Sequence, residues 1–149
     1  METSSTKVIA LVLCLRAFPE IALGQTRDGI FGHPWGTPLA AVAEPLALRT
    51  PRFEGNTALY ATAVHEIGDV RIDECQIEFV NGKLAGVIVT TRGADNSGRM
   101  LALLQQWYGE GQSRHPDART WRTAETHASF DLDSFGDAYA YWYSLQLQK

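Results

Sequence analysis

Residues 74–91 read E-C-Q-I-E-F-V-N-G-K-L-A-G-V-I-V-T-T. Glutamate and glutamine alternate with Cys75, Ile77 and Phe79, the period-two pattern of a strand with one wet and one dry face. Asn81-Gly82 then supplies the dipeptide that best accepts the two positive φ angles of a type I′ turn. The reading is therefore a β-hairpin, Arg71 to Val80 returning as Lys83 to Thr91. A two-residue turn fixes the register, opposing Phe79 to Leu84, Gln76 to Val87 and Cys75 to Ile88, and opposed residues share a face. That register places Cys75, Ile77, Phe79, Leu84 and Ile88 on one face. Glu74, Gln76, Glu78, Val87 and Val89 fall on the other.

The end of the chain poses the same question. Ala138–Tyr143 reads A-Y-A-Y-W-Y, so Tyr139, Tyr141 and Tyr143 share one face and Trp142 takes the other. With Phe135-Gly136 as a two-residue turn, Leu132 opposes Tyr139 and Phe130 opposes Tyr141. The tyrosines then lie on the dry face, their hydroxyls reaching out to water. The wet face collects His127, Ser129, Asp131 and Trp142.

Between these pieces the pattern changes period. Thr37-Pro38 resembles an N-cap followed by proline at the first helical position, with Leu39, Val42 and Leu46 at helical spacing. Arg99 to Tyr108 places Met100, Leu103, Leu104 and Trp107 on one stripe, and Gly109 stands where a helix stops. Residues 49–57 and 92–98 read as loops. Strands are expected at 58–66, 71–80, 83–91, 120–123, 126–133 and 138–147. The predicted fold class is α+β: one antiparallel sheet of about six strands with two helices on one face, built as two helix-plus-three-strand units.

With 149 residues, 45% apolar and 20% charged, the chain is long enough for one packed domain, placed at 31–147. A formal charge of −4 with no basic stripe argues against nucleic acid as a partner. Lys7 precedes eight apolar residues, Val8 to Leu15, too few to span a bilayer. Small residues Ala22 and Gly24 follow, so residues 1–24 read as a signal peptide cut after Gly24. The other reading of this segment is an N-terminal helix. Removing it leaves the net charge at −4 and Cys75 as the single cysteine, a small buried hydrophobe rather than a nucleophile. Export to the periplasm or beyond is expected.

H-E-I-G-D at residues 65–69 lacks the second histidine of a zinc-protease helix. His127 and Asp131, four apart on a strand, stand about 13 Å apart and cannot alone share a metal. No serine has nucleophile-elbow flanks, and no glycine-rich loop cradles phosphate. The pairs Glu74/Glu78 and Asp131/Asp133 are what any acidic sheet face yields. No cofactor, no metal and no catalysis are expected.

Two segments carry a resemblance. F-G-H-P-W-G-T-P-L-A-A-V, residues 31–42, is similar to the opening of small exported proteins found in many Gram-negative bacteria, which share a W-G-T…Y-G…W pattern. L-L-Q-Q-W-Y-G-E, residues 103–110, with T-W-R at 120–122 and F-D-L at 130–132, resembles their second half. Where those proteins usually carry proline after Y-G-x, this chain has Gly111. The overall plan also resembles the β-lactamase-inhibitor-protein and BamE-like superfamily of envelope proteins. The resemblance implies export, this fold and work by binding other proteins, and it carries over no site residue. W-G-T has its own structural reading, with Trp35 packed beside the helix start, Gly36 allowing the tight approach and Thr37 capping.

The expected function is that of an exported protein-binding module, an inhibitor or envelope accessory, acting through the open sheet face. The candidate contact residues are Trp142, Tyr60, Glu74, Glu78, Val87, Val89, His127 and Asp131. The alternative is a small hydrophobic ligand held in a cavity between helices and sheet, near Trp107.

Overall fold

The structure, a computed structural model, describes residues 26–148. The expected signal peptide and Cys14 lie outside the described residues. A short hairpin, β1 (Gly29–Ile30) and β2 (His33–Pro34), is followed by α1 (Leu39–Val42). Next come β3 (Arg49–Glu54), β4 (Thr57–Ala61) and a second small hairpin, β5 (Glu66–Ile67) and β6 (Val70–Arg71). The central hairpin is β7 (Glu74–Val80) and β8 (Lys83–Thr91), followed by the long helix α2 (Ala94–Tyr108). The chain closes with β9 (Gln112–His115), β10 (Ala118–Arg122), β11 (Thr126–Leu132) and β12 (Ala138–Ser144).

Eight strands form one antiparallel sheet in the order β3-β4-β7-β8-β12-β11-β10-β9. Two four-stranded meanders meet where β8 pairs with β12, and α2 bridges them. The expected plan of two helix-plus-three-strand units is therefore wrong: among the described residues the chain is mostly sheet, with one long helix and the single turn of α1. Residues 49–54, read as loop, form an edge strand. Helix α1 stops after four residues, and Pro38, not Thr37, is its N-cap, with no side-chain cap. The Thr37 hydroxyl donates instead to Pro34 O at 2.6 Å.

Helix α2 begins five residues before its apolar stripe predicts. Its first turns hold residues that look like loop, and tertiary bonds satisfy them. Asn96 exchanges hydrogen bonds with the backbone of Arg71, and Ser97 meets Thr91 Oγ1 and Gly136 O. Gly109, with φ of +90°, ends the helix by donating to Gln105 O at 2.8 Å.

The Asn81-Gly82 turn forms with both φ values positive, and Val80 pairs with Lys83 and Phe79 with Leu84. Beyond that the register slips. A bulge opposite Glu78 and Phe79 inserts Ala85, so Ile77 faces Val87 and Cys75 faces Val89. One residue of slip exchanges every later side chain between faces. Val87 and Val89 are in the core, and Ile88 is on the open side.

The same reversal occurs at β11–β12. Asp133 N–H donates to Asp137 O, leaving a three-residue loop, Ser134-Phe135-Gly136, with Gly136 at φ +85°. Leu132 therefore faces Ala138, and Phe130 faces Ala140. The tyrosines point away from the helix, and Trp142 points into it.

The covered face holds the core. Ile77, Leu84, Val87, Val89 and Trp142 from the sheet meet Met100, Leu104 and Trp107 from α2, with Ile30, Val42, Ile67 and Val70 from the N-terminal part and the small hairpin. Each fully buried large side chain contributes about 1.5–3 kcal/mol. Residues 26–30 belong to this body: Ile30 is fully buried, and Trp142 Nε1 donates to Gly29 O at 3.1 Å. Both sheet edges are exposed but poor templates for another strand. Edge β3 carries Pro51 and a register shift, and β9 is four residues long beside its own shift.

Candidate functional site

The uncovered face can be written as rows across the strands. Leu59, Glu78, Gly86, Tyr143, His127 and Arg122 stand side by side; the next row is Ala61, Gln76, Ile88, Tyr141, Ser129 and Thr120. A third runs Glu74, Thr90, Tyr139, Asp131 and Ala118. Down the middle, on β12, the three tyrosines form a column.

Gly86 shapes this column. A methyl group added there would lie 2.9 Å from Glu78 Oε1 and 3.0 Å from a ring carbon of Tyr141. The missing side chain lets the Tyr141 ring and the Glu78 carboxylate lie across the strand. The Tyr141 hydroxyl donates to Glu78 Oε1 at 2.9 Å, and the Gln148 amide, from the C-terminal turn, donates to the same oxygen. Glu78 is only 9% exposed, and none of the ion pairs among the described residues involves it. Burial, then the negative charge of Glu78 and the bond to it, hold the Tyr141 hydroxyl well above the usual phenol range.

Tyr143 lies against Tyr141 at 4.8 Å between ring centroids and against His127 at 5.2 Å, both tilted by 30–37°. Tyr139 is 43% exposed. Desolvation, with Glu78 and Asp131 adding to it, raises its pKa. Desolvation, with Arg122 and Arg114 adding to it, lowers that of His127. Asp131 and Glu74 thus stand in the Tyr139 row, and Arg122 stands beside His127. Neither Tyr139 nor Tyr143 spends its hydroxyl on a bond to the described residues, so both are free to meet a partner.

Past Tyr139 the face opens into a cleft of ≈ 370 Å³ lined by Asp73, Asp131, Asp133 and Asp137, with Arg92 among them. Arg92 pairs with Asp73 at 3.1 Å. Asp133 Oδ1 accepts the N–H groups of Phe135 and Asp137, and Asp137 Oδ1 accepts that of Gly93. Among the described residues no cluster of three or more histidine, cysteine or acidic side chains is placed to hold a metal ion.

Of the residues expected to make the site, Glu74, Glu78, His127 and Asp131 are on this face. Trp142, Val87 and Val89 are not; all three are fully buried under the helix side, moved there by the bulge and the three-residue loop. Tyr60 is on that side too, edge-on to Phe79 at 5.6 Å. Around Trp107, where the alternative places a ligand cavity, the indole meets Trp142 and Tyr108 edge-on, and Tyr108 lies against Trp121. The tyrosine column itself was missed as a site. The signal for it was Ala138, Ala140 and Ser144 alternating with the tyrosines, since small residues beside Trp142 suit a helix-covered face.

No known protein family, no curated protein and no solved structure matches this chain.

Proposed function

We propose that the chain is a protein-binding module whose contact surface is the open sheet face, centred on Tyr139, Tyr141 and Tyr143. One observation carries this reading: a column of partly exposed tyrosines stands on the inner strand of an eight-stranded sheet. Tyrosine presents a large amphipathic surface at small entropic cost, which is why it recurs as an interface anchor. An open sheet face with blunted edges suits side-chain docking rather than strand addition. Charged groups beside the column, Asp131 and Glu74 in the Tyr139 row and Arg122 beside His127, would fix the partner's orientation. The amino-terminal sequence supports an exported setting, in which such a module acts as an inhibitor or an envelope accessory.

The test is affinity capture from an envelope extract, comparing the unaltered protein with the Tyr139→Ser, Tyr143→Ser double variant. Neither hydroxyl bonds to the described residues, but the Tyr143 ring packs on Tyr141 and His127. Unfolding free energy should therefore fall by about 1–3 kcal/mol, and the capture is run well below the variant's melting temperature. A partner held by the unaltered protein should be absent from the variant's eluate. Equal capture by both proteins would show that the face is only solvated.

A further inference from the structure

We propose that the partner presents a basic segment, and that one of its arginine or lysine side chains seats over Tyr139 against Asp131 at the mouth of the acid-rimmed cleft. This rests on the reading above that the open face binds protein. The charge pattern selects the partner's chemistry. Among the described residues four aspartates line the cleft against one cation, Arg92, and that guanidinium is already tied to Asp73. Two of the aspartates are committed to the scaffold, Asp133 to its own turn and Asp137 to Gly93 N–H. They fix the rim in place.

Asp131 is different. It stands directly across the strand pair from Tyr139 and engages no hydrogen bond or ion pair among the described residues, so its carboxylate is available. Glu74 stands two places along the same row, beyond Thr90. Thr90 lines the cleft between them. An exposed tyrosine ring with an unpaired carboxylate beside it offers a guanidinium both a stacking surface and a charge-assisted hydrogen bond. The cleft is near the lower limit for small-molecule pockets, a size that admits one side chain. An anionic segment would meet repulsion along this end, and the chain's net charge of −4 steers cations toward the surface.

The probes are the peptides acetyl-Thr-Arg-Thr-Arg-Thr-amide and its counterparts with glutamate or glutamine in place of arginine. Each is titrated into isotope-labelled protein and followed by NMR. The arginine peptide should shift the backbone amides of Thr90, Asp131 and Tyr139, and the other two should leave them unmoved. Asp131→Asn should weaken the arginine peptide roughly tenfold. Glu44→Gln, an equal charge change on an exposed residue outside the site, should weaken it by less than about twofold.

Equal weakening by the two variants would reduce the effect to general charge attraction and overturn the proposal. So would a silent arginine peptide, or a glutamate peptide that shifts the same amides. Partner capture that needs the tyrosines but survives Asp131→Asn would leave the protein-binding reading standing and sink this one.

Discussion

Trp142 and Trp107 meet edge-on across the sheet–helix interface, ring centroids 5.7 Å apart and planes 65° apart. They share a contact but not a polar environment. Trp142 Nε1 donates to the buried Gly29 carbonyl, whereas Trp107 Nε1 is buried with no partner among the described residues. A buried donor left unpaired costs about 1–3 kcal/mol. Trp107→Phe deletes that liability along with some volume, so its net loss should stay below about 1.5 kcal/mol. Trp142→Phe should cost about 2–4 kcal/mol, because it removes volume and orphans the Gly29 carbonyl. Chemical denaturation of the two variants checks the order, and a larger loss from Trp107→Phe would contradict it.

Gly86 makes a second, local prediction. Alanine there forces apart the Glu78 carboxylate and the Tyr141 ring, both within 3.0 Å of the new methyl. Overpacking of this kind costs about 1–3 kcal/mol. It should also loosen the Tyr141–Glu78 hydrogen bond, so one tyrosine should ionise at lower pH than in the unaltered protein. Ultraviolet titration of the phenols together with thermal unfolding would show both effects. A stable Gly86→Ala variant with unchanged tyrosine titration would mean the column is not held by this contact.

The positions of these residues show what the sequence could and could not reveal. The Asn81-Gly82 hairpin was legible because the dipeptide's tolerance of positive φ is a local property. So was the end of α2, where Gly109 accepts a backbone angle that other residues resist. Which face each strand presents was not local. It depended on Ala85 entering as a bulge and on Ser134-Phe135-Gly136 closing as three residues rather than two. Either change moves the pairing by one residue and inverts every later side chain, which is why the tyrosines and Trp142 exchanged places relative to the expectation. Edge strand β3 was hidden by Pro51 and by uniform exposure, which leaves no alternation to read. The start of α2 was hidden because its polar residues are satisfied by Arg71, Thr91 and Gly136, distant in sequence.

Cys75 lies on the covered face opposite Val89 and is 4% exposed. Burial pushes its thiol up to about 12, so almost no thiolate exists at neutral pH. In a Cys14→Ser variant, a disulfide reagent should label Cys75 only as fast as the protein unfolds, and at once in denaturant. Rapid labelling of the folded protein would place Cys75 outside the core.

His127 gives the face a pH dependence with a definite sign. Desolvation first, then Arg122 and Arg114, set its folded pKa below the ordinary 6.5. Between those two values the unfolded chain binds more protons than the folded one, so stability falls as the solution is acidified through that interval. Above 6.5 both states are neutral and the penalty vanishes. His127→Gln should therefore flatten this part of the melting-temperature profile between about pH 7 and pH 5. Arg122→Gln should move the imidazole titration upward, read directly from its ring-proton shifts. An imidazole that titrates above 6.5 in the unaltered protein, or a steeper acid slope in His127→Gln, would reverse the sign argued from the arginines beside it.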